Sequence, residues 1–103
     1  MAKKYIPVRV LGDSMRPTVL TGDFLMVKRT LQYRIGDLVV VQLAEQQLVK
    51  RIVDANAEQV WLSGDNVKAS DDSRKFGWIE KNQIVGKVLF RYWPKLKFSF
   101  KVK

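Results

Sequence analysis

The chain contains neither histidine nor cysteine among its 103 residues. Without cysteine there are no disulfides and no thiolate nucleophile, and without histidine every catalytic triad that relies on an imidazole base is excluded. Carboxylates are then the only strong metal ligands, so we expect no transition-metal site and no cofactor. Any acid–base catalysis must therefore use carboxylate, amine or hydroxyl groups.

Long apolar runs are also missing. The sequence has no run of about 18 apolar residues, which is the length that a transmembrane helix requires. The first residues, MAKKYIPVRVLG, lack the apolar region of a signal peptide. Both observations favour a cytoplasmic protein. The formal charge of +9 indicates an anionic partner such as nucleic acid, a lipid surface or an acidic protein, although a lysine-rich surface alone would also produce it.

Short segments of alternating polarity dominate the pattern along the chain. The length and the 47% hydrophobic content fit one domain, residues 1–103, with a single core. Turn signals about every 8 to 12 residues predict a mainly β fold, a compact antiparallel barrel or sandwich, with a long polar loop over 64–78. The predicted strands are YIPVRVL, DFLMVKR, GDLVVVQL, QQLVKRIVDA, EQVWLSG and NQIVGKVLFRYW.

The tail at 94–103, PKLKFSFKVK, alternates strictly between apolar residues and mostly lysine. This pattern predicts a strand with one wet face, and a terminal strand with its lysines outward is the favoured interpretation. The alternative is a basic strip that makes peripheral contact with an anionic membrane surface or with nucleic acid.

Ser14, in GDSMRPT, is the candidate nucleophile, and it needs a base other than histidine. A lysine can serve if it is neutral, and burial among apolar groups lowers the pKa of a lysine. In LVKRIV, Lys50 shares one strand face with Leu48 and Ile52, whereas Lys28 is closer to a strand end. Considered by itself, Lys50 is better explained as an edge-strand lysine that prevents aggregation.

The motifs GDSMRPTVLTGDFLMVKR, GDLVVVQ, LVKRIV and GDNVKASDDSRKFGWIEKNQIVGKV resemble, in order and spacing, those of the type I signal peptidases and their Ser-Lys relatives. The resemblance covers about residues 8–93. It implies the signal peptidase catalytic core and a serine endopeptidase that removes an N-terminal leader or propeptide from a protein substrate. It also implies small residues such as alanine just before the cut.

The resemblance implies a role for each matching residue. Ser14 corresponds to the acylated nucleophile, Lys50 to the general base and Ser70 to the serine that orients the lysine. Met15 corresponds to a residue beside the substrate groove, and the backbone of Gly12 and Ser14 to the oxyanion region. Many relatives carry a serine where Gly12 stands, so a backbone group or water must complete the oxyanion hole. The residues matching structural charges are Arg51, Asp65, Asp72 and Arg74.

Relatives that process exported proteins carry membrane anchors and a large inserted subdomain, and neither is found in this sequence. It is more similar to small maturation peptidases, such as the one that trims the leader of nickel-type superoxide dismutase. Self-cleaving repressors are one alternative, disfavoured because no Ala-Gly or Cys-Gly site precedes Ser14. A catalytically silent basic β-barrel that binds nucleic acid is another, suggested by the charge and by Tyr92 and Trp93.

Overall fold

A computed structural model describes residues 4–66, 68 and 73–92, together with the backbone of residues 100–102. The described chain is mainly β, which confirms the fold class predicted from the sequence. The strands are β1 (Tyr5–Val10), β2 (Phe24–Lys28), β3 (Leu38–Leu43), β4 (Gln46–Ala55), β5 (Gln59–Ser63), β6 (Ile79–Glu80), β7 (Ile84–Tyr92) and β8 (Phe100–Val102). The helix α1 (Ser73–Phe76) and a 3₁₀ turn (Lys81–Gln83) complete the described elements.

All eight strands belong to one sheet, in the order β6-β5-β4-β3-β7-β2-β1-β8. Every pairing is antiparallel except that of β8 with β1, which is parallel. Within the described residues the sheet is not closed by hydrogen bonds, because β6 and β8 stand at its two ends. It is nevertheless curled, since Cα atoms of β8 also come within 8 Å of β4.

The curl has local causes along the strands. Register irregularities lie between Met26 and Val27 and between Val40 and Val41, and such bulges bend a strand and increase its twist. Gly86 of β7 allows a close approach to β2, because a Cβ at this position would lie 2.5 Å from the Lys28 carbonyl oxygen. The sheet can therefore fold over its own apolar residues.

The alternating residues of the strands build two buried clusters. Along β4, Val49 belongs to the first cluster, and Leu48 and Ile52 belong to the second. Lys50 lies between Leu48 and Ile52 in the strand and is only 2% exposed. The first cluster contains Ile6, Val8, Val10, Met15, Val19, Leu25, Val27, Val40 and Val49; the second contains Val39, Val41, Leu48, Ile52, Val60, Leu62 and Ile79.

The segment predicted as a long polar loop over 64–78 contains the short helix α1. Its first residue, Ser73, is 1% exposed, and the Ser73 hydroxyl accepts a hydrogen bond of 2.8 Å from the Leu62 backbone N–H. This contact attaches α1 to β5. The polar composition of the segment concealed the helix, because four residues are too few to show a helical period.

Candidate active site

Ser14 lies in a compact loop that follows β1. The backbone N–H of Arg16 donates to the Asp13 carbonyl at 3.2 Å, and that of Val19 donates to the Met15 carbonyl at 3.0 Å. Ser14 itself is half-buried. Among the described residues, neither its N–H nor its hydroxyl has a hydrogen-bond partner. The loop is thus internally ordered while the polar groups of Ser14 make no bonds within it.

Residues just after β5 hold this loop in place. The Asn66 N–H donates to the Ser14 carbonyl at 2.9 Å, and the Asn66 side-chain amide donates to the Asp13 carbonyl at 3.0 Å. The Asp65 N–H contacts the Met15 Sδ at 3.4 Å. The position of Ser14 therefore depends on a segment about fifty residues further along the chain.

Lys50 lies in the middle of β4, opposite Val39 of β3. Its side chain is on the strand face that carries Leu48 and Ile52, both of them buried. Burial by itself disfavours the charged form of an amine. A lysine on an exposed sheet edge would be mostly solvated, so Lys50 is not in the environment that the edge-strand alternative requires.

Arg51, on the opposite face of β4, forms a two-point ion pair with Asp65. The Arg51 Nε lies 2.9 Å from Asp65 Oδ1, and Nη2 lies 2.8 Å from Oδ2. Hydrogen bonding from Arg51 lowers the pKa of Asp65, and a hydrogen bond from the Thr18 hydroxyl adds to the effect. Arg51 thus connects the strand of Lys50, through Asp65 and Thr18, to the loop of Ser14.

The other residues predicted from the sequence are found in several environments. Ser70 and Asp72 lie outside the described residues, and Arg74 lies on α1. Met15 is 1% exposed within the first cluster, so its place beside a substrate groove stays a prediction. The Gly12 N–H donates to the Thr21 hydroxyl at 3.1 Å, so in this conformation that N–H already has a partner.

Sequence reasoning missed two residues that organise the site, Thr18 and Asn66. Both lie inside motifs that were recognised, yet neither has a local pattern that reveals its partner. Thr18 bonds to a residue 47 positions away, and the Asn66 side chain to one 53 positions away. Such pairs become visible only when the sheet brings the two segments together.

Over the described ranges, no cluster of three or more carboxylates could hold a metal ion. In the same part of the chain, no helix is both long enough and apolar enough to cross a membrane. Tyr92, one of the aromatic residues considered for nucleic-acid binding, is half-buried and packs near Phe24 and Phe90, with ring centroids 5.9 and 6.3 Å apart. Trp93 lies outside the described residues.

Comparison with known proteins finds a peptidase family and several protease relatives. The family model described as Peptidase S24-like matches residues 1–89. Mitochondrial ATP-independent inner membrane protease subunit 1a of Arabidopsis thaliana is 33% identical over 116 residues, covering 82% of this chain and 68% of that protein. Human mitochondrial inner membrane protease subunit 1 is 26% identical over 116 residues, covering 86% and 70%.

A bacterial relative is more similar over a shorter region. Signal peptidase I of Bacillus caldolyticus is 56% identical over 41 residues, which is 40% of this chain. The matched region spans only 22% of that bacterial protein. The curled β sheet, the family match and these relatives agree, and the chain belongs to the Peptidase S24-like family, among proteins of the type I signal peptidase kind.

Proposed function

We propose that this chain is a serine endopeptidase in which Ser14 is the nucleophile and Lys50 is the general base. The observation that carries the proposal is the burial of Lys50, 2% exposed on an apolar strand face, in a chain that has no histidine. The hydrogen bond from Asn66 to the Ser14 carbonyl supports it, because it fixes the serine loop beside the segment that follows β5. The family match supports the reaction class.

The proposed reaction follows from the properties of the two groups. The Ser14 Oγ attacks the scissile carbonyl carbon while the neutral Lys50 Nζ accepts the hydroxyl proton. The resulting ammonium then protonates the leaving amine, and water hydrolyses the acyl-enzyme. The Ser14 N–H, which has no partner among the described residues, would stabilise the oxyanion, an interaction worth about 3 kcal/mol. Since only the neutral amine accepts a proton, the rate should rise with pH.

The proposed substrate is a protein with an N-terminal leader or propeptide, cut after a small residue such as alanine. This substrate class rests on the resemblance to signal peptidases and on the mitochondrial and bacterial relatives. The leader of nickel-type superoxide dismutase is one candidate, suggested by the sequence alone. A cytoplasmic location likewise stays a prediction.

The direct test is to incubate the protein with a whole-cell peptide library and to sequence the new N-termini. We expect cleavage after small residues, and Ser14→Ala and Lys50→Ala should each lower turnover by at least about 1,000-fold. Lys50→Arg should be equally inactive, because a guanidinium stays protonated. Near-normal turnover of a folded variant at either position would refute the Ser14–Lys50 pair.

A further inference from the structure

Strand β8 occupies the outer edge of β1. The two strands run parallel, with Val8 opposite Phe100, Arg9 opposite Lys101 and Val10 opposite Val102. The other neighbour of β1 is β2, so without β8 the strand β1 would stand at the end of the sheet. Its outer row of backbone N–H and C=O groups would then be open to pairing with another extended chain.

β8 lies close to both strands that lead to the candidate active site. β1 leads into the serine loop, and Val10, the β1 partner of Val102, precedes Ser14 by four residues. On the other side, β8 comes within 8 Å of β4, the strand that carries Lys50. A short extended segment of this chain therefore lies between the strand that leads to the proposed nucleophile and the strand that bears the proposed base.

We propose that β8 is an autoinhibitory strand that competes with the substrate for the edge of β1. This inference rests on the proposed peptidase function, since an extended substrate binds most simply by adding a strand to an exposed sheet edge. The edge that leads to Ser14 belongs to β1, and one edge can pair with only one strand at a time. β8 must then leave β1 before a substrate enters.

The direction of β8 supports competition at this edge. Because β8 runs parallel to β1, its chain proceeds toward the serine loop, with Val102 beside the end of β1 nearest to Ser14. A substrate bound in the same direction would bring the peptide bond that follows its paired residues toward Ser14. The backbone of β8 thus lies along the edge of β1 in the direction expected for a bound substrate.

The expected strength of the inhibition follows from tethering. A strand of three residues pairs weakly, but a short tether gives it an effective concentration of about 1 mM. If the free segment bound with a dissociation constant of about 100 µM, the closed form would exceed the open form by about tenfold. The apparent affinity for substrate would then be reduced by about the same factor.

The test compares four proteins: the parent chain, a variant ending at Trp93, Val102→Pro, and Val102→Ala as a matched control. The Val10 N–H donates to the Asp23 carbonyl on the β2 side, so Arg9 directs its backbone groups toward β8, and the parallel register pairs the Arg9 carbonyl with the Val102 N–H. Proline at 102 removes this N–H, whereas alanine keeps the backbone able to pair. The probe is a fluorescein-labelled peptide of residues 94–103, and binding is measured with each protein also carrying Ser14→Ala. We expect binding about tenfold tighter to the truncated chain and to Val102→Pro than to the parent and to Val102→Ala.

The second measurement is of KM and kcat. The substrate is a fluorogenic peptide with alanine before the scissile bond. We expect KM to fall about tenfold in the truncated and proline variants while kcat is unchanged. Equal probe affinity and equal KM in all folded variants would overturn the proposal. If the truncated chain does not fold, Val102→Pro against Val102→Ala carries the test. If that variant is also unfolded, absence of inhibition of the parent by the free 94–103 peptide overturns the proposal.

The two proposals fail in different ways. A difference in probe binding without any cleavage by any of the proteins would refute the peptidase function and retain β8 as the occupant of the β1 edge. Cleavage with identical KM and identical probe affinity would retain the peptidase function and refute autoinhibition.

Discussion

At the scale of single residues, the Arg51–Asp65 pair links the two halves of the candidate site. Asp65 accepts two hydrogen bonds from Arg51 and one from Thr18, and its own N–H contacts Met15. The Arg51 Nη1 also donates to the Gly36 carbonyl at 2.7 Å. The Arg51 and Asp65 side chains are only 31% and 20% exposed, so water screens their attraction less than it would at the surface. The two-point contact therefore helps to hold the serine loop in position.

We expect Asp65→Asn to destabilise the fold by about 2 kcal/mol at pH 7, because charge-assisted bonds to Arg51 are lost. The pKa of Asp65 is lowered in the folded chain, chiefly by the Arg51 hydrogen bonds. Its stabilising effect is therefore present above the unfolded value near 4 and is lost as the pH falls through the folded value. The difference between parent and variant should shrink in acid.

Chemical denaturation of both proteins between pH 7 and pH 3 measures this effect. Asp54→Asn is the matched control, since Asp54 is exposed on β4 and its carboxylate accepts a bond from the adjacent Ala55 N–H. A stability difference for Asp65→Asn that is independent of pH would show that the charge of Asp65 is not what stabilises the loop.

Two serines in one motif should respond in opposite ways to removal of the hydroxyl. Ser70→Ala should lower the rate by about 10- to 100-fold, by analogy with residues that orient metal ligands, and have little effect on stability. Ser73→Ala should lower stability by about 1 to 2 kcal/mol, because it leaves the buried Leu62 N–H without its partner.

Rates and denaturation midpoints measured on both variants separate the two roles. A Ser70→Ala variant with the same rate as the parent would show that Ser70 does not orient the base. A Ser73→Ala variant with parent stability would mean that another group, such as water, satisfies the Leu62 N–H.

At the scale of elements, strand β7 is central because it pairs with both β2 and β3. Gly86 is its buried position, and the space there is filled by β2: an added Cβ would lie 2.5 Å from the Lys28 oxygen and 2.7 Å from Val27 Cγ1. The first of these atoms belongs to the backbone, which cannot rotate away as a side chain could. The absence of a side chain at residue 86 therefore sets how closely β7 approaches β2.

We expect Gly86→Ala to destabilise the protein by about 3 kcal/mol, because the strands must separate to admit the methyl group. Gly22→Ala is the comparison: it has open space around its Cβ position and a φ of +91°, so only local backbone strain of about 1 to 2 kcal/mol is expected. Urea denaturation compares the two variants. A Gly86→Ala cost no larger than that of Gly22→Ala would mean that β2 and β7 can shift freely.

At the scale of the whole molecule, the two buried clusters share their supporting strands. β3 contributes Val40 to the first cluster and Val39 and Val41 to the second. β4 contributes in the same alternating way, with Val49 on one side and Leu48 on the other. Neither cluster has a sheet of its own, so loss of one removes the support of the other.

We therefore expect a single cooperative unfolding transition, as is usual for chains of this length. The Trp61 and Trp78 rings, 5.4 Å apart, report on the region of β5 and β6, and far-UV circular dichroism reports on the whole sheet. In a Trp93→Phe variant the two urea curves should coincide. Separate midpoints would show that the clusters unfold independently.

Much of this architecture is determined by local properties of the sequence. The predicted segment QQLVKRIVDA coincides with β4, and the other five strands predicted between residues 5 and 93 agree with the observed ones to within about two residues at each end. Of the terminal strand predicted over 94–103, the described residues include only β8, Phe100–Val102. Alternation has a period of two residues, so a short segment already specifies which side chains share a face. The same alternation on β4 identified Lys50 as a residue between two apolar neighbours, and the absence of histidine made it the candidate base.

Tertiary structure alone decided the contacts between distant segments. The bond from Asn66 to the Ser14 carbonyl, the close approach of Gly86 to Lys28 and the parallel pairing of β8 with β1 have no local signature. Each depends on the order of strands in the sheet and on its curl, which follow from burying both faces of β3 and β4 at once. Local patterns determine which residues can be buried, whereas the packing of the whole sheet determines which distant residues meet.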